Sequence, residues 1–212
     1  MLPCLDALIF DFDGVLVEST DVKTKAFASL YADYGSDIVR RVVSYHEEHA
    51  GISRFRKFQY FQEVLLGIPY SDSDGESLSA QFSQLVVDAV IDAPFVAGAK
   101  EFLDVHKGLL PMFVASGTPD GELQEIVRRR GMMSYFGSVH GTPSTKGQII
   151  NKLIESHTFD RSRVLMVGDA LADLDGAHQA GVCFLGRVSG DRNPFPFDID
   201  VISDLRALSA RL

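Results

Sequence analysis

Three observations in this chain predict an α/β fold: a mostly parallel open sheet with a helical segment inserted into it. Apolar runs of strand length at residues 8–10, 111–115 and 164–167 each end in a small or acidic turn, as strands buried on both faces do. Helix-patterned stretches separate the later runs, and alternation of that kind gives a parallel sheet covered by helices. About a hundred residues lie between the first run and the second; one strand-to-helix connection uses far fewer, so a second folded unit sits between them.

The first run, LDALIFDFDGVLVES, carries Asp11 and Asp13 at the exposed end of a strand, and Gly14 allows a sharp turn after them. Side chains two apart in an extended segment point the same way. Two like charges so placed repel unless a cation lies near or one is protonated. Hard oxygen ligands at a tight turn suit Mg²⁺, which also bridges phosphate oxygens. The pair therefore predicts magnesium, with one carboxylate as nucleophile and the other as general acid and base. Residues 22–34 follow as a helix on the spacing of Val22, Ala26, Phe27, Leu30 and Tyr31, and further helices are expected at 38–49, 54–66 and 77–90, the last after the turn-rich SDSDGES. Pro94 marks the return to the core, giving a core of residues 1–17 and 93–212 and a helical unit of residues 18–92.

The second run ends in Ser116-Gly117-Thr118-Pro119, a donor-rich turn suited to phosphate, before a helix that starts near Asp120. After a strand near 137–140, Lys146 opens an apolar-periodic helix, where its ammonium can neutralise a phosphate or hold a carboxylate ionised. The run at 164–167 leads into Gly168-Asp169, with Asp173 four residues on and Asp175 behind it as a solvated or capping group. A strand near 182–186, a surface loop, a short edge strand near 199–202 and a final helix complete the chain. Every catalytic candidate then lies at the carboxyl end of a strand, where open α/β sheets bind ligands.

Taken together, these residues resemble the haloacid dehalogenase (HAD) superfamily of phosphohydrolases over essentially the whole chain. DFDGVLVES resembles its first motif, VASGT its second, the Lys146 segment its third and GDALADLDGA its fourth. The resemblance implies a Rossmann-like core with a type-one helical cap, of the phosphoglycolate phosphatase and β-phosphoglucomutase kind. It implies that Asp11 attacks phosphorus to give an aspartyl-phosphate, while Asp13 protonates the leaving oxygen and later activates water. Ser116 and the N–H groups around Gly117 and Thr118 would hold phosphoryl oxygens, and Lys146 would pair with Asp11 and the phosphate. Asp169 would ligate Mg²⁺ with the Asp11 carboxylate and the Asp13 carbonyl, and Asp173 directly or through water. Positioning and charge neutralisation of this kind are what phosphoryl transfer requires.

Single residues separate the sister activities. Dehalogenating and phosphonate-cleaving relatives place a non-acidic residue where this chain has Asp13. GISRF, at residues 51–55, resembles the cap loop in which β-phosphoglucomutase carries a phosphate-gripping arginine, and Arg54 falls on it. Those mutases carry a histidine at the cap hinge, where this chain has Lys23. The expected function is a Mg²⁺-dependent phosphatase acting on a small phosphorylated metabolite, a phosphosugar or similar phosphomonoester. A phosphosugar mutase is the second reading and a non-catalytic phosphometabolite-binding relative the third.

Within the helical insert, Arg54, Arg56 and Lys57 form a basic cluster that either grips a second anionic group or, for Arg56 and Lys57, decorates a solvated face. His46, Glu47, Glu48 and His49 are expected on exposed surface, because sequence neighbours share a helix face poorly. Phe55, Phe58, Tyr60 and Phe61 are expected in the insert's own core. A chain of 212 residues with 46% hydrophobic content can bury a core and a small lid. Its net charge of -9 disfavours sequence-independent nucleic-acid binding, and the arginines at 128–130 fit a helix C-terminus. Apolar stretches of strand length support no membrane span, and the absence of a cationic leader predicts a cytoplasmic protein. Cys4 and Cys183 are expected as reduced core thiols. Oligomeric state stays open between monomer and homodimer.

Overall fold

The computed structural model describes residues 5–190 and 193–211. Its six strands are β1 (Ala7–Phe10), β2 (Met112–Pro119), β3 (Ser138–Thr142), β4 (Val164–Gly168), β5 (Cys183–Arg187) and β6 (Val201–Ile202). All pair in parallel, in the order β3-β2-β1-β4-β5-β6. The chain builds outward from β1 to β3, then returns to the other side of β1 to lay down β4. That reversal opens a crevice at the strands' carboxyl ends.

The alternation of side chains along β1 explains the layers. Ala7 and Ile9 face helices α7 (Lys146–His157) and α8 (Leu171–Ala180) and pack with Ile149, Ile150, Leu153 and Ala177. Leu8 and Phe10 face the other side, where Phe102 of α5 (Ala99–His106), Ile126 of α6 (Asp120–Arg129) and Leu205 of α9 (Leu205–Ser209) close the core. The sequence pattern did not reveal α5.

Four helices fill the insert between β1 and α5: α1 (Thr20–Leu30), α2 (Ser36–Glu48), α3 (Arg54–Tyr60) and α4 (Asp72–Asp92). They gather around Phe27, whose ring lies 4.3 Å from that of Phe82, 5.7 Å from Phe61 and 5.8 Å from Phe58, centroid to centroid. Phe58 and Phe61 are fully buried, as expected, whereas Phe55 and Tyr60 are only half-buried. The helix expected over 54–66 widens into a π-helical segment at Phe61–Leu66. Helix α4 begins five residues before the expected 77: Ser71 is its N-cap and completes a capping box with Asp74, so the acidic stretch read as a turn is the first turn of a helix, where carboxylates are favoured. Arg128 and Arg129 end α6 as expected, but Arg130 reaches across to α4 and donates to the carbonyls of Val90 and Ala93, both at 2.8 Å.

Two expectations need correction. His46 is buried rather than exposed, because the face of α2 that carries Val42 and His46 is packed against the Phe27 cluster, and only Glu47, Glu48 and His49 of that run reach solvent. Cys183 is exposed, since it opens β5 at the amino end of the sheet, and burial along that strand begins only at Leu185. Cys4 lies outside the described residues, as do Asp191 and Arg192 of the loop after β5.

Candidate active site

Asp11 leaves the end of β1 almost wholly buried. One of its carboxylate oxygens accepts from the Phe12 backbone N–H at 2.7 Å, and the other lies 2.9 Å from the Lys146 ammonium. Lys146 is the first residue of α7, fixed there by a capping box between Thr145 and Gln148. Its ammonium also pairs with Asp173, which α8 presents in its first turn and which accepts a hydrogen bond from the Ala170 N–H at 3.1 Å. Burial alone would lower the proton affinity of Lys146, but the Asp11 and Asp173 carboxylates outweigh it and hold the ammonium above the usual lysine range.

Asp169 completes the acidic cluster. Oxygens of Asp11, Asp169 and Asp173 all lie within 4.8 Å of one another, with Lys146 as the cation bonded among them. Burial and then the neighbouring Asp11 and Asp173 charges push the Asp169 carboxyl well above the usual range. Two buried carboxylates and the half-buried Asp169, carrying more negative charge than one ammonium offsets, fit a divalent cation such as Mg²⁺. Gly14 lets the turn approach this cluster: its φ is +74°, and a Cβ there would fall 2.0 Å from an Asp169 oxygen. Arg187, on β5, holds the same turn from behind, donating to the Gly14 carbonyl at 3.0 Å and to Glu18 at 2.6 Å.

Asp13 points away from that cluster. It accepts from the Ser19 hydroxyl at 2.6 Å and the Thr118 hydroxyl at 3.1 Å, and it pairs with Lys23, which also donates to Thr118 at 2.8 Å. Burial pushes the Asp13 carboxyl up, but the Lys23 charge and these hydrogen bonds more than reverse it, so Asp13 stands ionised below its ordinary value. Nothing in the spacing of the sequence revealed that Lys23 and Ser19 serve Asp13. Ser19 lies six residues and Lys23 ten residues beyond Asp13, and only the fold of the turn brings them back.

Ser116 is buried at the carboxyl end of β2, where its hydroxyl accepts from the Thr118 N–H at 3.2 Å. Asp11, Asp13, Ser116, Gly117, Thr118 and Asp169 line one chamber of about 60 Å³, with Lys146 and Asp173 behind its floor. Its roof comes from the helical insert and includes Phe27, His46, Ile52, Arg54, Lys57 and Phe82. Arg54 reaches this roof already engaged: its guanidinium donates to Glu122 of α6 at 2.9 Å and to Ser83 of α4 at 2.9 Å, and it lies 4.6 Å from the Phe82 ring. Arg56 and the exposed Asp175 instead line an outer vestibule of about 680 Å³ beside the chamber. Gly51 and Gly117 border both spaces and meet so closely that a Cβ on Gly117 would fall 2.6 Å from the Gly51 carbonyl oxygen.

Comparison with known proteins gives the same frame. The chain is 24% identical to the phosphoglycolate phosphatase of Synechococcus elongatus over 182 residues, covering 84% of this chain and 81% of that protein. It is 23% identical over 186 residues to a 5'-nucleotidase of Pseudomonas aeruginosa, covering 84% and 80%. A crystal structure of a predicted phosphoglycolate phosphatase from Haemophilus somnus matches with a TM-score of 0.76 at 18% identity over the full length of both chains. The haloacid dehalogenase-like hydrolase model matches residues 5–181. A parallel sheet with its acidic cluster at the strand ends, matched over that span, makes this chain a member of the haloacid dehalogenase-like hydrolases.

Proposed function

We propose that the protein is a Mg²⁺-dependent phosphatase that hydrolyses a small phosphomonoester through an aspartyl-phosphate on Asp11. The observation that carries this reading is the state of Asp11: buried, oriented by one backbone N–H and one ammonium, and sharing a chamber with a second carboxylate that faces elsewhere. A carboxylate held this way keeps one oxygen aimed at an electrophile with no reorganisation at the moment of attack.

Each remaining residue takes a part that its surroundings support. Asp11, Asp169 and Asp173, with the Asp13 carbonyl, would hold Mg²⁺. When bound, the ion would neutralise charge on the transferring phosphoryl group. Ser116 and the N–H groups of Gly117 and Thr118 receive phosphoryl oxygens, and Lys146 balances the charge of Asp11 and the phosphate. Asp13, ionised in this state, is ready to take a proton from the water that hydrolyses the aspartyl-phosphate. To protonate the leaving oxygen in the first step it must first gain a proton, and a phosphate dianion arriving beside it raises its proton affinity in the required direction. Residues 18–92 act as a cap that closes the chamber, and the Arg54–Glu122 pair is a bond between cap and core.

Phosphate release should be measured over phosphosugars, phosphoglycolate, nucleotides and an aryl phosphate, with Mg²⁺ and with EDTA, in wild type and Asp11→Asn. Release that depends on Mg²⁺ and disappears in the variant is the expected result. Full activity in Asp11→Asn would overturn the assignment. Relatives named for phosphoglycolate and for nucleotides both resemble this chain, so the panel also ranks substrate classes.

A further inference from the structure

Three cations reach the chamber from the cap side or the hinge, and two are already neutralised. Lys23 is paired with Asp13, and Arg54 with Glu122. Lys57, on α3, is as buried as Arg54 and more so than Lys23, but makes no ion pair among the described residues. Its ammonium lies 2.8 Å from His46 Nδ1 and 3.3 Å from the His46 carbonyl, and 5.6 Å from the centre of the Phe27 ring. His46 offers a lone pair, not a charge. Burial, and then the Lys57 and Lys23 ammonium groups, keep its ring neutral down to about pH 3.

We infer that Lys57, held by His46 in the cap wall of the chamber, binds a carboxylate at the leaving-group end of a short phosphomonoester substrate. This deepens the phosphatase reading and rests on it. A buried charge without a counter-ion is unfavourable, and burial with the nearby Lys23 and Lys146 pulls the Lys57 ammonium down to about 7. An anion entering the chamber supplies the missing partner. The position fits the end of the substrate farther from phosphorus. Asp11 and Asp13 lie toward the core, Lys57 and His46 toward the cap, and both groups line one space.

Size and lining select the ligand further. A chamber of about 60 Å³ holds on the order of five water-sized positions, which favours a short substrate over a nucleoside or a hexose. Phe27, Phe82 and Ile52 line it with apolar surface that offers no partners to the hydroxyls of a polyol. A second phosphate would seek several donors, and the guanidinium that could supply them, Arg54, is held by Glu122. A single carboxylate on a one- or two-carbon linker matches one ammonium and one small space.

The test compares kcat/KM for 2-phosphoglycolate, 2-hydroxyethyl phosphate and ethylene glycol bisphosphate in wild type, Lys57→Met and His46→Phe. The first two compounds have the same chain length and differ in whether a carboxylate ends it. The expected result is that wild type prefers the carboxylate over both others, and that Lys57→Met lowers the preference over 2-hydroxyethyl phosphate by about tenfold or more, as loss of a charged hydrogen bond does. His46→Phe should lower it in the same direction by less. Because the readout is a ratio within each variant, a partly unfolded preparation does not distort it. A ratio within twofold of wild type in Lys57→Met, with phosphate still released, overturns this inference and leaves the phosphatase standing; a wild-type preference for the bisphosphate overturns it likewise. No release from any compound overturns the phosphatase reading instead. Calorimetric binding of the same compounds to wild type and Lys57→Met then decides the subsite, and equal affinity in the two proteins overturns it.

Discussion

Lys146, behind the floor of the chamber, and Lys57, in its cap wall, are both buried lysines, and their proton affinities move in opposite directions. Lys146 lies between Asp11 and Asp173 and is held above the ordinary lysine range, whereas Lys57 has only a neutral histidine and is lowered to about 7. The catalytic half of the site carries its counter-charges in the protein itself. The cap half lacks one, and a substrate can provide it. Burial therefore says little about a lysine's role until its partners are counted.

The contrast can be broken most severely at the core. Asp11→Asn should reduce phosphate release by about a thousandfold or more, read as single-turnover burst and steady-state rate, since it removes the proposed nucleophile. Lys146→Met should lower kcat by roughly a hundredfold, and it leaves the two buried carboxylates Asp11 and Asp173 without their ammonium. Losing one partner of such a network costs about 3 kcal/mol at neutral pH. Urea midpoints should show that loss, and it should shrink as pH falls and the carboxylates take up protons.

Lys57→Met should move stability the other way. In the unfolded chain this lysine holds its proton to an ordinary 10.5, and in the folded protein only to about 7. Between those values the unfolded state binds the extra proton, so stability rises with pH there. Removing the group should stabilise the substrate-free protein by a few kcal/mol (~3) at pH 7, with the gain fading toward pH 10. A destabilised Lys57→Met at pH 7, with no trend toward pH 10, would count against the uncompensated state of this lysine. The smallest effect is expected at Arg187→Met. Losing its bonds to the Gly14 carbonyl and Glu18 should lower kcat about tenfold while KM stays within a factor of about three, because the catalytic turn is loosened and the ligand contacts are kept.

The catalytic half was legible because its residues sit at fixed offsets from apolar strands. Asp11 and Asp169 follow β1 and β4, Ser116 lies in the later half of β2, and a run of buried residues is visible in one dimension. The sheet's strands were found for the same reason, some ends where expected and others up to four residues away. The cap half was not legible in this way. His46 and Lys57 lie on different helices, and their contact depends on how α2 and α3 pack around Phe27, which no periodicity within either helix encodes. Arg54 shows a related limit: its loop was readable, but its bond to Glu122 joins residues 68 apart. The start of α4 was missed because Ser, Asp and Gly serve turns and first helical turns alike.

The hold of Arg187 on the Gly14 carbonyl spans 173 residues of chain. On a ribosome, the turn that carries Asp11 and Asp13 is made well before β5, the strand that steadies it. Lys146 and Asp173 also arrive late. A growing chain therefore carries Asp11, the proposed nucleophile, without the groups that orient it until α7, α8 and β5 have followed.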